Sequence, residues 1–401
     1  MTDRVVLAYS GGLDTSVAIG WLRENKGYEV IAMIADIGQG VDDLDAIRER
    51  ALACGAADAV VVDAVDEFAD DFVAPAIRAN ALYMGKYPLI SSLSRPLIVR
   101  HLVRVARERG AGAVAHGCTG KGNDQVRFEV GTMCLAPELV TEAPIREWGL
   151  SRDHAIAWAT ERGIPIPVTS ANPYSIDENL WGRTAECGII EDPWERPPGD
   201  VYARSVAVED APDTPDELIL AFTDGLPVAV DGKELPLADL IAEVDRRAGA
   251  HGVGRIDMIE DRLVGIKSRE IYECPGAHTI LTAHRDLEDL CLEQELADHK
   301  RGEESRYAQL IYNGLWWGPL KESIDAFIDS ASRYVEGEVR VELFKGHATV
   351  VGRRSEVGLY DLSLATYSDE DRFDHRHAEG FVRLWGLPLR TWARRTRRVD
   401  S

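Results

Sequence analysis

The sequence predicts an α/β protein in three parts: a parallel-sheet domain at residues 1–168, a second, α+β domain at 169–365 and a C-terminal arm at 366–401. In the first part, short apolar runs rich in β-branched residues alternate with helical patterns, which is typical of a parallel sheet with crossover helices. After about residue 168, hairpin patterns and long helical patterns replace this alternation. The last part combines aromatic side chains with many arginines and continues neither pattern.

The first domain is predicted to contain parallel strands joined by helices. Each apolar run has the length of a strand that is buried on both faces. Each helical segment repeats its apolar residues every three to four positions. We predict strands at 5–9, 30–34, 59–62 and 113–116, and helices at 15–25, 44–54 and 95–109.

The second domain is predicted to be α+β because it combines hairpins with long helices. Asp224-Gly225 and Lys345-Gly346 each stand between two short apolar runs. Glycine in such dipeptides favours the positive φ values of two-residue hairpin turns. The predicted strands are 218–223, 227–230, 339–344 and 347–351, and the predicted helices are 237–247, 279–300 and 305–334.

The arm carries large apolar side chains that need a surface to cover them. Gly386 and Pro388 interrupt any single long helix through this region. Aromatic and arginine side chains are enriched at subunit interfaces, so we predict that the arm packs either on another subunit or on its own chain. The residues concerned are Phe373, Phe381, Leu384, Trp385, Leu387 and Trp392.

The composition is strongly acidic, with a formal net charge of −23 over 401 residues. Binding a nucleic-acid backbone needs concentrated positive charge, so we expect small polar substrates and no nucleic-acid partner. No apolar run of 18 residues occurs and no secretory signal is recognisable, so we expect a cytoplasmic protein without membrane contact. The six cysteines include no C-x-x-C pair that would suggest zinc, an iron–sulfur cluster or a redox dithiol, so we predict free thiols and no dedicated metal site.

The segment after the first predicted strand has the composition of a phosphate-binding turn. Ser10-Gly11-Gly12-Leu13-Asp14-Thr15-Ser16 leads from that strand into the first helical pattern. Such a turn points backbone N–H groups and the positive end of a helix dipole at one small volume, and glycines allow close approach. The Asp14 carboxylate would repel a bare phosphate, which suggests a magnesium ion between them. Alternatively, Ser10 and Asp14 merely cap the helix.

The two commonest nucleotide-binding motifs are absent from the sequence. Gly120-Lys121 is followed by Gly122, so no G-x-x-x-x-G-K-[ST] loop is present. Thr15 stands where the dinucleotide fingerprint G-x-G-x-x-G requires a third glycine. These absences argue against kinases and dehydrogenases.

Three of the predicted strands end near polar or glycine-containing segments that share one edge of the sheet. Ser10, Ala35 and Gly117 mark these strand ends. Ligands of parallel sheets bind beyond the carboxyl ends of the strands, so one nucleotide can reach all three positions. The first domain is therefore predicted to be Rossmann-like and nucleotide-binding.

A second polar segment, residues 116–129, follows the fourth predicted strand. Its three glycines let the backbone wrap a ligand. Asn123 and Asp124 can bind amino and carboxyl groups, and Arg127 can hold a carboxylate with two parallel hydrogen bonds. The alternative is a solvated glycine loop in which Asp124 caps a helix.

These segments resemble known motifs. The turn from Ser10 to Thr15 resembles the PP-loop of the N-type ATP pyrophosphatases, which cleave ATP between its α and β phosphates. Four further segments are similar to the argininosuccinate synthase family of that superfamily, and the similarity extends over nearly the whole chain. A PP-loop alone is weakly diagnostic, whereas four motifs in the family's order are specific. The segments are 87–96, 116–129, 172–179 and 254–272.

This resemblance implies an ATP-dependent ligase of arginine biosynthesis. The ureido oxygen of citrulline would attack the α-phosphorus of ATP to give citrullyl-adenylate and pyrophosphate, and the amine of aspartate would then displace AMP. The second domain would be a synthetase domain, Mg²⁺ would accompany ATP, and the arm would hold a homotetramer together. Orientation of three substrates would supply most of the rate, with little acid–base chemistry.

The resemblance also implies a role for each matched residue. Asp14 and Asp124 would be catalytic, the first through magnesium and the second beside the attacking amine. Thr119, Asn123 and Asp124 would bind aspartate, while Asn123 and Arg127 would reach citrulline. ATP would be held by Ala8, Tyr9, Ser10, Gly11, Gly12, Leu13, Asp14, Thr15, Ser16, Ala35 and Gly117, and citrulline also by Tyr87, Ser92, Ser175, Thr184, Glu260 and Tyr272.

Some of these assignments have structural alternatives. Thr184 stands where the family often has a serine, and its β-branching leaves a contact with citrulline open. Two competing functions are another synthetase of the superfamily and a sensor that binds ATP without turnover. Residues with ordinary structural explanations are Tyr87 and Tyr272 as core tyrosines, Glu260 as a turn acid, Ser175 as a helix cap, His116 as a structural residue at the strand end and Cys118 as a buried or half-buried thiol without a chemical role.

Overall fold

The computed structural model of the chain describes residues 3–40, 44–149, 152–165 and 174–396. The predicted domain boundary at 168–169 lies outside the described residues. Two compact units are present, residues 1–358 and residues 359–401. Within the larger unit, the described residues form one parallel sheet and two antiparallel sheets.

The parallel sheet confirms the predicted α/β fold class. All four predicted strands are present, with ends shifted by no more than two residues, and a fifth, short strand was not predicted because three residues show no periodicity. The strands are β1 (Arg4–Ala8), β2 (Glu29–Asp36), β3 (Asp58–Asp63), β4 (Ala113–Ala115) and β5 (Val140–Glu142). Their order across the sheet is β3-β2-β1-β4-β5.

Helices cover both faces of this sheet. Val5 and Leu7 share one core with Ile19, whereas Val6 between them shares the opposite core with Leu93. This follows from the two-residue period of a strand, which sends alternate side chains to opposite faces. The helices are α1 (Leu13–Trp21), α2 (Leu44–Ala53), α3 (Val65–Phe68), α4 (Ala74–Arg78), α5 (Ile90–Arg109), α6 (Asp124–Leu135), α7 (Pro144–Trp148) and α8 (Arg152–Glu161).

Two of these helices differ from the sequence prediction in ways that matter for the site. Helix α1 begins at Leu13, two residues earlier than predicted, and continues as a π-helical turn over Leu22–Lys26. Helix α5 begins at Ile90, five residues earlier than predicted, and contains Pro96. The earlier start of α5 places the segment before Pro96 on a helix.

The two antiparallel sheets lie in the second half of the chain. Their strands are β6 (Ser175–Asn179), β7 (Gly182–Glu186), β8 (Asp216–Thr223), β9 (Leu226–Val230), β10 (Lys233–Glu234), β11 (Arg255–Asp261), β12 (Lys267–Glu273), β13 (Gly337–Phe344) and β14 (His347–Arg354). The four-stranded sheet has the order β11-β12-β7-β6, and the five-stranded sheet has the order β10-β9-β8-β13-β14. Both predicted hairpins, β8–β9 and β13–β14, are confirmed. Their turns place Asp224, Gly225, Lys345 and Gly346 at positive φ, as two-residue hairpin turns require.

The long helices predicted at 279–300 and 305–334 are wrong in their boundaries. Three helices occupy these segments: α10 (Pro275–Cys291), α11 (Gln294–Tyr312) and α12 (Pro319–Ser332). They follow α9 (Leu237–Ala250), which confirms the helix predicted at 237–247. Glu293 starts α11 by accepting hydrogen bonds from the backbone of Glu295 and Leu296 at 3.0 and 3.1 Å. Pro319 begins α12, at the helix position where proline is best tolerated.

The smaller unit contains α13 (Leu362–Ala365), α14 (Arg376–Trp385) and α15 (Leu387–Thr396). Phe381 and Trp385 stack on one face of α14, with ring centroids 5.7 Å apart. Both side chains are exposed in the single chain. Among the helices that the structure describes, none has the length and apolar character needed to cross a membrane.

Candidate active site

The predicted phosphate-binding turn connects β1 to α1. Gly11 has a φ of +78°, and a Cβ at this position would lie 3.1 Å from the side chains of Ile47 and Arg50. The Arg50 guanidinium donates a hydrogen bond to the Gly11 carbonyl at 2.9 Å. Glycine is therefore required here both by conformation and by space.

The hydroxyl groups of the turn form two pairs with different exposures. The Ser10 and Thr15 hydroxyl oxygens lie 3.2 Å apart, and Ser10 is exposed. The Tyr9 and Ser16 hydroxyl oxygens lie 3.0 Å apart in the core. Asp14 is exposed on the first turn of α1. Ser10 and Asp14 are thus exposed at the turn, whereas Thr15 and the inner pair are buried and fix the turn on the sheet.

The N-terminus of α1 is suited to an anion. Gly12 occupies the cap position with extended backbone angles and offers no side chain to the helix. The first N–H groups of a helix have no acceptor within it, and the helix dipole adds partial positive charge there. Leu13 and Ala8 border this turn as partly buried residues at its two ends.

The neighbouring strand ends lie around the same turn. Gly117 follows β4, and a Cβ at this position would lie 2.7 Å from the Thr15 methyl group. Ala35 is the second-last residue of β2 and is half-buried, and its carbonyl accepts a hydrogen bond from the Gln39 side chain at 3.0 Å. Since β1 pairs with both β2 and β4, these residues share one edge of the sheet.

The segment 116–129 is a loop that leads into α6. Asn123 is the residue before α6, and its side-chain amide donates to the Tyr312 hydroxyl at 2.8 Å. The same side chain accepts a hydrogen bond from the backbone of Leu263 at 2.8 Å. Asn123 therefore joins the end of α11 and the β11–β12 turn to the parallel-sheet region. Thr119 is exposed on the outer part of the loop.

Arg127 is buried against the end of α11. Its Nε and Nη2 atoms donate to the Tyr312 carbonyl at 3.1 and 2.9 Å, and its Nη1 atom donates to Asp124 at 2.7 Å. The guanidinium also lies 5.0 Å from the centre of the Tyr312 ring, which is a cation–π distance. Gly314, with a φ of +74°, permits this approach because a Cβ there would lie 3.0 Å from the Arg127 backbone.

Asp124 lies between two guanidinium groups. Its Oδ1 atom accepts from Arg127 and its Oδ2 atom from Arg95, the latter at 2.9 Å. Burial alone raises the pKa of this carboxyl group, but the charges and hydrogen bonds of the two arginines lower it to about 2. Asp124 is therefore a carboxylate at every physiological pH.

Tyr87, Tyr272 and Glu260 form one buried cluster. The two tyrosine rings stack with centroids 4.1 Å apart, and the Tyr272 hydroxyl donates to Glu260 at 3.0 Å. The Tyr87 hydroxyl accepts a hydrogen bond from the backbone of Ser91 at 3.0 Å. Burial raises the pKa of Glu260, although the Tyr272 hydroxyl and the charge of Arg127 act in the opposite direction. Glu260 is a buried acid and not the solvated turn acid of the alternative interpretation.

The predicted serine and threonine residues lie in three different settings. Ser92 is 1% exposed, and within the described residues its hydroxyl has no hydrogen-bond partner. Thr184 on β7 pairs with Tyr272 on β12, and its hydroxyl lies 3.4 Å from that of Ser91. Ser175 is exposed at the start of β6, so it does not cap a helix.

His116 and Cys118 support the start of the loop. His116 is 1% exposed, and its Nδ1 atom accepts a hydrogen bond from the backbone of Cys118 at 3.2 Å. Burial raises the pKa of the Cys118 thiol well above its ordinary value. This arrangement agrees with the structural role that the sequence suggested for both residues.

Sequence reasoning did not single out three residues that contact the predicted ones. Arg95 contacts Asp124, and Asp177 contacts Arg95 and pairs with Thr184 between β6 and β7. Tyr312 lies beside Asn123 and Arg127. Arg95 falls within the family-like segment 87–96, and Asp177 within 172–179. Tyr312 stands just before Asn313-Gly314, a helix-ending signal that gave no indication of what the preceding side chain contacts.

Comparisons with known proteins identify the family of this chain. A family model described as "Arginosuccinate synthase N-terminal HUP domain" matches residues 4–165, and one described as "Arginosuccinate synthase C-terminal domain" matches residues 174–392. Argininosuccinate synthase of Limosilactobacillus reuteri strain DSM 20016 is 57% identical over 391 residues, which are 98% of this chain and 95% of that protein. Argininosuccinate synthase of Ligilactobacillus salivarius strain UCC118 is 56% identical over 390 residues, which are 97% and 96% of the two chains. The chain therefore belongs to the argininosuccinate synthase family.

Proposed function

We propose that this chain catalyses the reaction of its family, the ATP-dependent joining of citrulline and aspartate to argininosuccinate in arginine biosynthesis. AMP and pyrophosphate are released, and citrullyl-adenylate is the intermediate. One observation carries the proposal. The loop that leads to Asn123 and Arg127 begins beside the glycine turn, with Gly117 packed against Thr15, in a chain with 98% of its length aligned to a family member. The turn suits a nucleotide, and the cluster suits amino acids.

ATP is proposed to bind with its phosphates at the turn. The first N–H groups of α1, the Ser10 hydroxyl and the bare backbone of Gly12 support a polyanion at this position. These donors are in place before the reaction, so they stabilise the charge that develops on the leaving pyrophosphate. Ala8, Ala35 and Gly117 are proposed to border the nucleotide on the adjoining strand ends.

Magnesium is proposed to enter with ATP rather than to occupy a protein cage. The described residues contain no group of three metal-ligating side chains, whereas Asp14 offers one exposed carboxylate at the turn. Magnesium usually binds through one or two carboxylates together with substrate phosphates, and it would neutralise phosphate charge here.

Asp14→Asn should therefore lower turnover more than it raises the KM for citrulline. Equal effects on both would contradict this role.

Citrulline is proposed to bind in the pocket around the tyrosine cluster. Glu260 is suited to an α-ammonium group, because a cation would compensate its buried charge. Arg127 already donates to Tyr312 and Asp124, so only the second N–H groups of its two Nη atoms are proposed to reach a carboxylate. The Ser92 hydroxyl has no hydrogen-bond partner within the described residues and can bond to a ligand. Tyr87, Tyr272, Asn123, Ser175 and Thr184 are proposed to complete the pocket.

Aspartate is proposed to bind at Thr119, Asn123 and Asp124. A carboxylate with a pKa of about 2 is a weak base, so Asp124 would orient the attacking amine rather than remove its proton. The reaction then depends mainly on alignment of the three substrates.

Pyrophosphate release from ATP tests this proposal directly. The purified chain in magnesium buffer should release pyrophosphate when citrulline is present and should form AMP and a citrulline–aspartate conjugate when both amino acids are present. Aspartate alone should release none. ATP binding without pyrophosphate release under any of these conditions would favour the sensor function instead.

The second unit is proposed to hold a homotetramer together. Its helices α14 and α15 expose Phe381, Leu384, Trp385 and Trp392, with relative exposures of 62 to 76% in the single chain. Large exposed apolar patches usually mark contact sites. A chain ending at residue 366 should elute from a sizing column as a smaller assembly than the full chain, whereas an unchanged elution volume would contradict the proposal.

A cytoplasmic location is also proposed, and the free cysteines agree with it.

A further inference from the structure

The Arg95 side chain joins three elements of the larger unit around Asp124. It projects from α5, and its Nε and Nη2 atoms contact the Asp124 Oδ2 atom on α6 at 2.9 and 2.8 Å. Its Nη2 atom also donates to the Asp177 Oδ2 atom on β6 at 2.5 Å. The remaining Nη1 atom donates to the Ser94 hydroxyl at 3.0 Å. With 12% of its side chain exposed, Arg95 has little freedom to adopt another position.

The contacts of Arg95 determine how Asp124 is presented. Arg95 holds one carboxylate oxygen and Arg127 holds the other, at 2.7 Å, so that the plane of the carboxylate is fixed from both sides. A carboxylate has about four lone-pair sites, so acceptor capacity remains for a further donor. Arg95, Arg127, Asp124 and Asp177 together carry no net charge. A substrate amine that enters this cluster therefore meets an oriented acceptor without strong local repulsion.

We propose that Arg95 is a positioning residue for the attacking amine, because it holds Asp124 in place and takes its own position from Asp177. The inference rests on the proposed function, in which Asp124 receives the amine of aspartate. Arg95 acts through Asp124 and need not touch the substrate. Since Asp177 belongs to β6 and Arg95 to α5, the aspartate site is complete only when the four-stranded antiparallel sheet is docked on the parallel-sheet region.

The two steps of the reaction allow this role to be tested separately from folding. Arg95→Gln removes the charge, and Arg95→Lys keeps the charge but cannot form the fork that reaches both carboxylates. In the absence of aspartate, both variants should release pyrophosphate from ATP and citrulline in a single turnover within about twofold of the unsubstituted chain. With aspartate, the KM for aspartate should rise by roughly tenfold to a hundredfold in Arg95→Gln and by less in Arg95→Lys.

Arg107→Lys is the matched control on the same helix. Arg107 forms an exposed ion pair with Glu138 at 2.9 Å, so its substitution should leave both measurements unchanged. Asp177→Asn is a milder second variant, because the Asp177 side chain is 31% exposed and the substitution is isosteric. It should raise the KM for aspartate about threefold while pyrophosphate release persists.

An unchanged KM for aspartate in Arg95→Gln or in Asp177→Asn would overturn the inference. Equal losses of citrulline-dependent pyrophosphate release and of aspartate use would also overturn it, because they would indicate a general structural role. If the unsubstituted chain released no pyrophosphate with citrulline, the proposed function would fail and this inference with it. Pyrophosphate release by the unsubstituted chain is measured before any variant is made, so a failure of the proposed function is distinguished from a failure of the role of Arg95.

Discussion

Replacing Gly117 by alanine should weaken ATP binding through a single contact. The added Cβ would lie 2.7 Å from the Thr15 methyl group, well inside the 3.5–4.0 Å at which two carbon atoms normally pack. Thr15 is 7% exposed, and its hydroxyl lies 3.2 Å from that of Ser10. Because threonine is branched at Cβ, its methyl group cannot move away without displacing that hydroxyl. The strain therefore falls on the phosphate-binding turn.

The size of the effect follows from the cost of inserting one methyl group into a packed site. Such overpacking typically costs about 1–3 kcal/mol. If this cost is expressed as lost affinity for ATP, the KM for ATP should rise by roughly 5- to 150-fold. The KM for citrulline should change less, since the clash lies at the turn and not in the tyrosine cluster.

Two further variants distinguish this contact from a general disturbance of the loop. Thr15→Ser removes the methyl group, so the double variant Gly117→Ala, Thr15→Ser should bind ATP within about threefold of Thr15→Ser alone. Gly122→Ala lies in the same loop, but its nearest neighbour would be 3.9 Å away, and it should behave like the unsubstituted chain. The KM for ATP is measured by pyrophosphate release. A normal KM in Gly117→Ala, or no rescue by Thr15→Ser, would refute the reasoning.

Two predictions concern buried charges away from the turn. Lys300 is 1% exposed, and its Nζ atom contacts Glu288 and Glu304 at 2.8 and 2.7 Å. Lys300→Met leaves these two buried acids without their cation, so it should lower the free energy of unfolding, measured by urea titration, by about 3–5 kcal/mol. Burial, together with the charge of Glu186, raises the pKa of Glu270 to about 8. Its protonated form therefore contributes stability that is complete below the ordinary carboxyl pKa and is lost as pH rises through 8. The urea concentration at the midpoint of unfolding should fall between about pH 5 and 8, and this fall should be smaller in Glu270→Gln.

Each of these predictions has a clear contrary result. Lys267→Met removes an exposed lysine, 68% exposed and paired with Asp261, and should change the free energy of unfolding by no more than about 1 kcal/mol. A similar small change in Lys300→Met would show that the buried cluster is not held by its cation. An unaltered pH dependence in Glu270→Gln would show that Glu270 is ionised throughout this range.

Local patterns in the sequence were sufficient for the parallel sheet, the glycine turn after β1 and the two hairpins. Each depends on neighbours along the chain: apolar runs for β1 to β4, adjacent glycines for the turn, and Asp224-Gly225 and Lys345-Gly346 for the hairpins. The same local density of polar residues and glycines singled out Asn123, Asp124 and Arg127. Their proposed roles in binding substrates remain predictions.

The strands that carry the rest of the site were not predicted, because their sequences are polar. β6 reads Ser-Ile-Asp-Glu-Asn, and β11 and β12 also carry charged residues at most positions. Glu260, Glu270 and Tyr272 are buried nevertheless. The period-two pattern of a half-buried strand is hidden where acids and arginines pair with one another inside the protein.

The sequence by itself determined that the chain has a parallel sheet with a glycine turn after its first strand, since both follow from short-range periodicity and backbone preference. Only the tertiary structure decided which side chains meet at the site. Arg95 contacts Asp177 across 82 positions of the chain, and Arg127 contacts Tyr312 across 185. Spacing along the sequence carries no information about such contacts, because they arise from how α5, α6, α11 and the four-stranded sheet pack, and packing is a property of the whole fold.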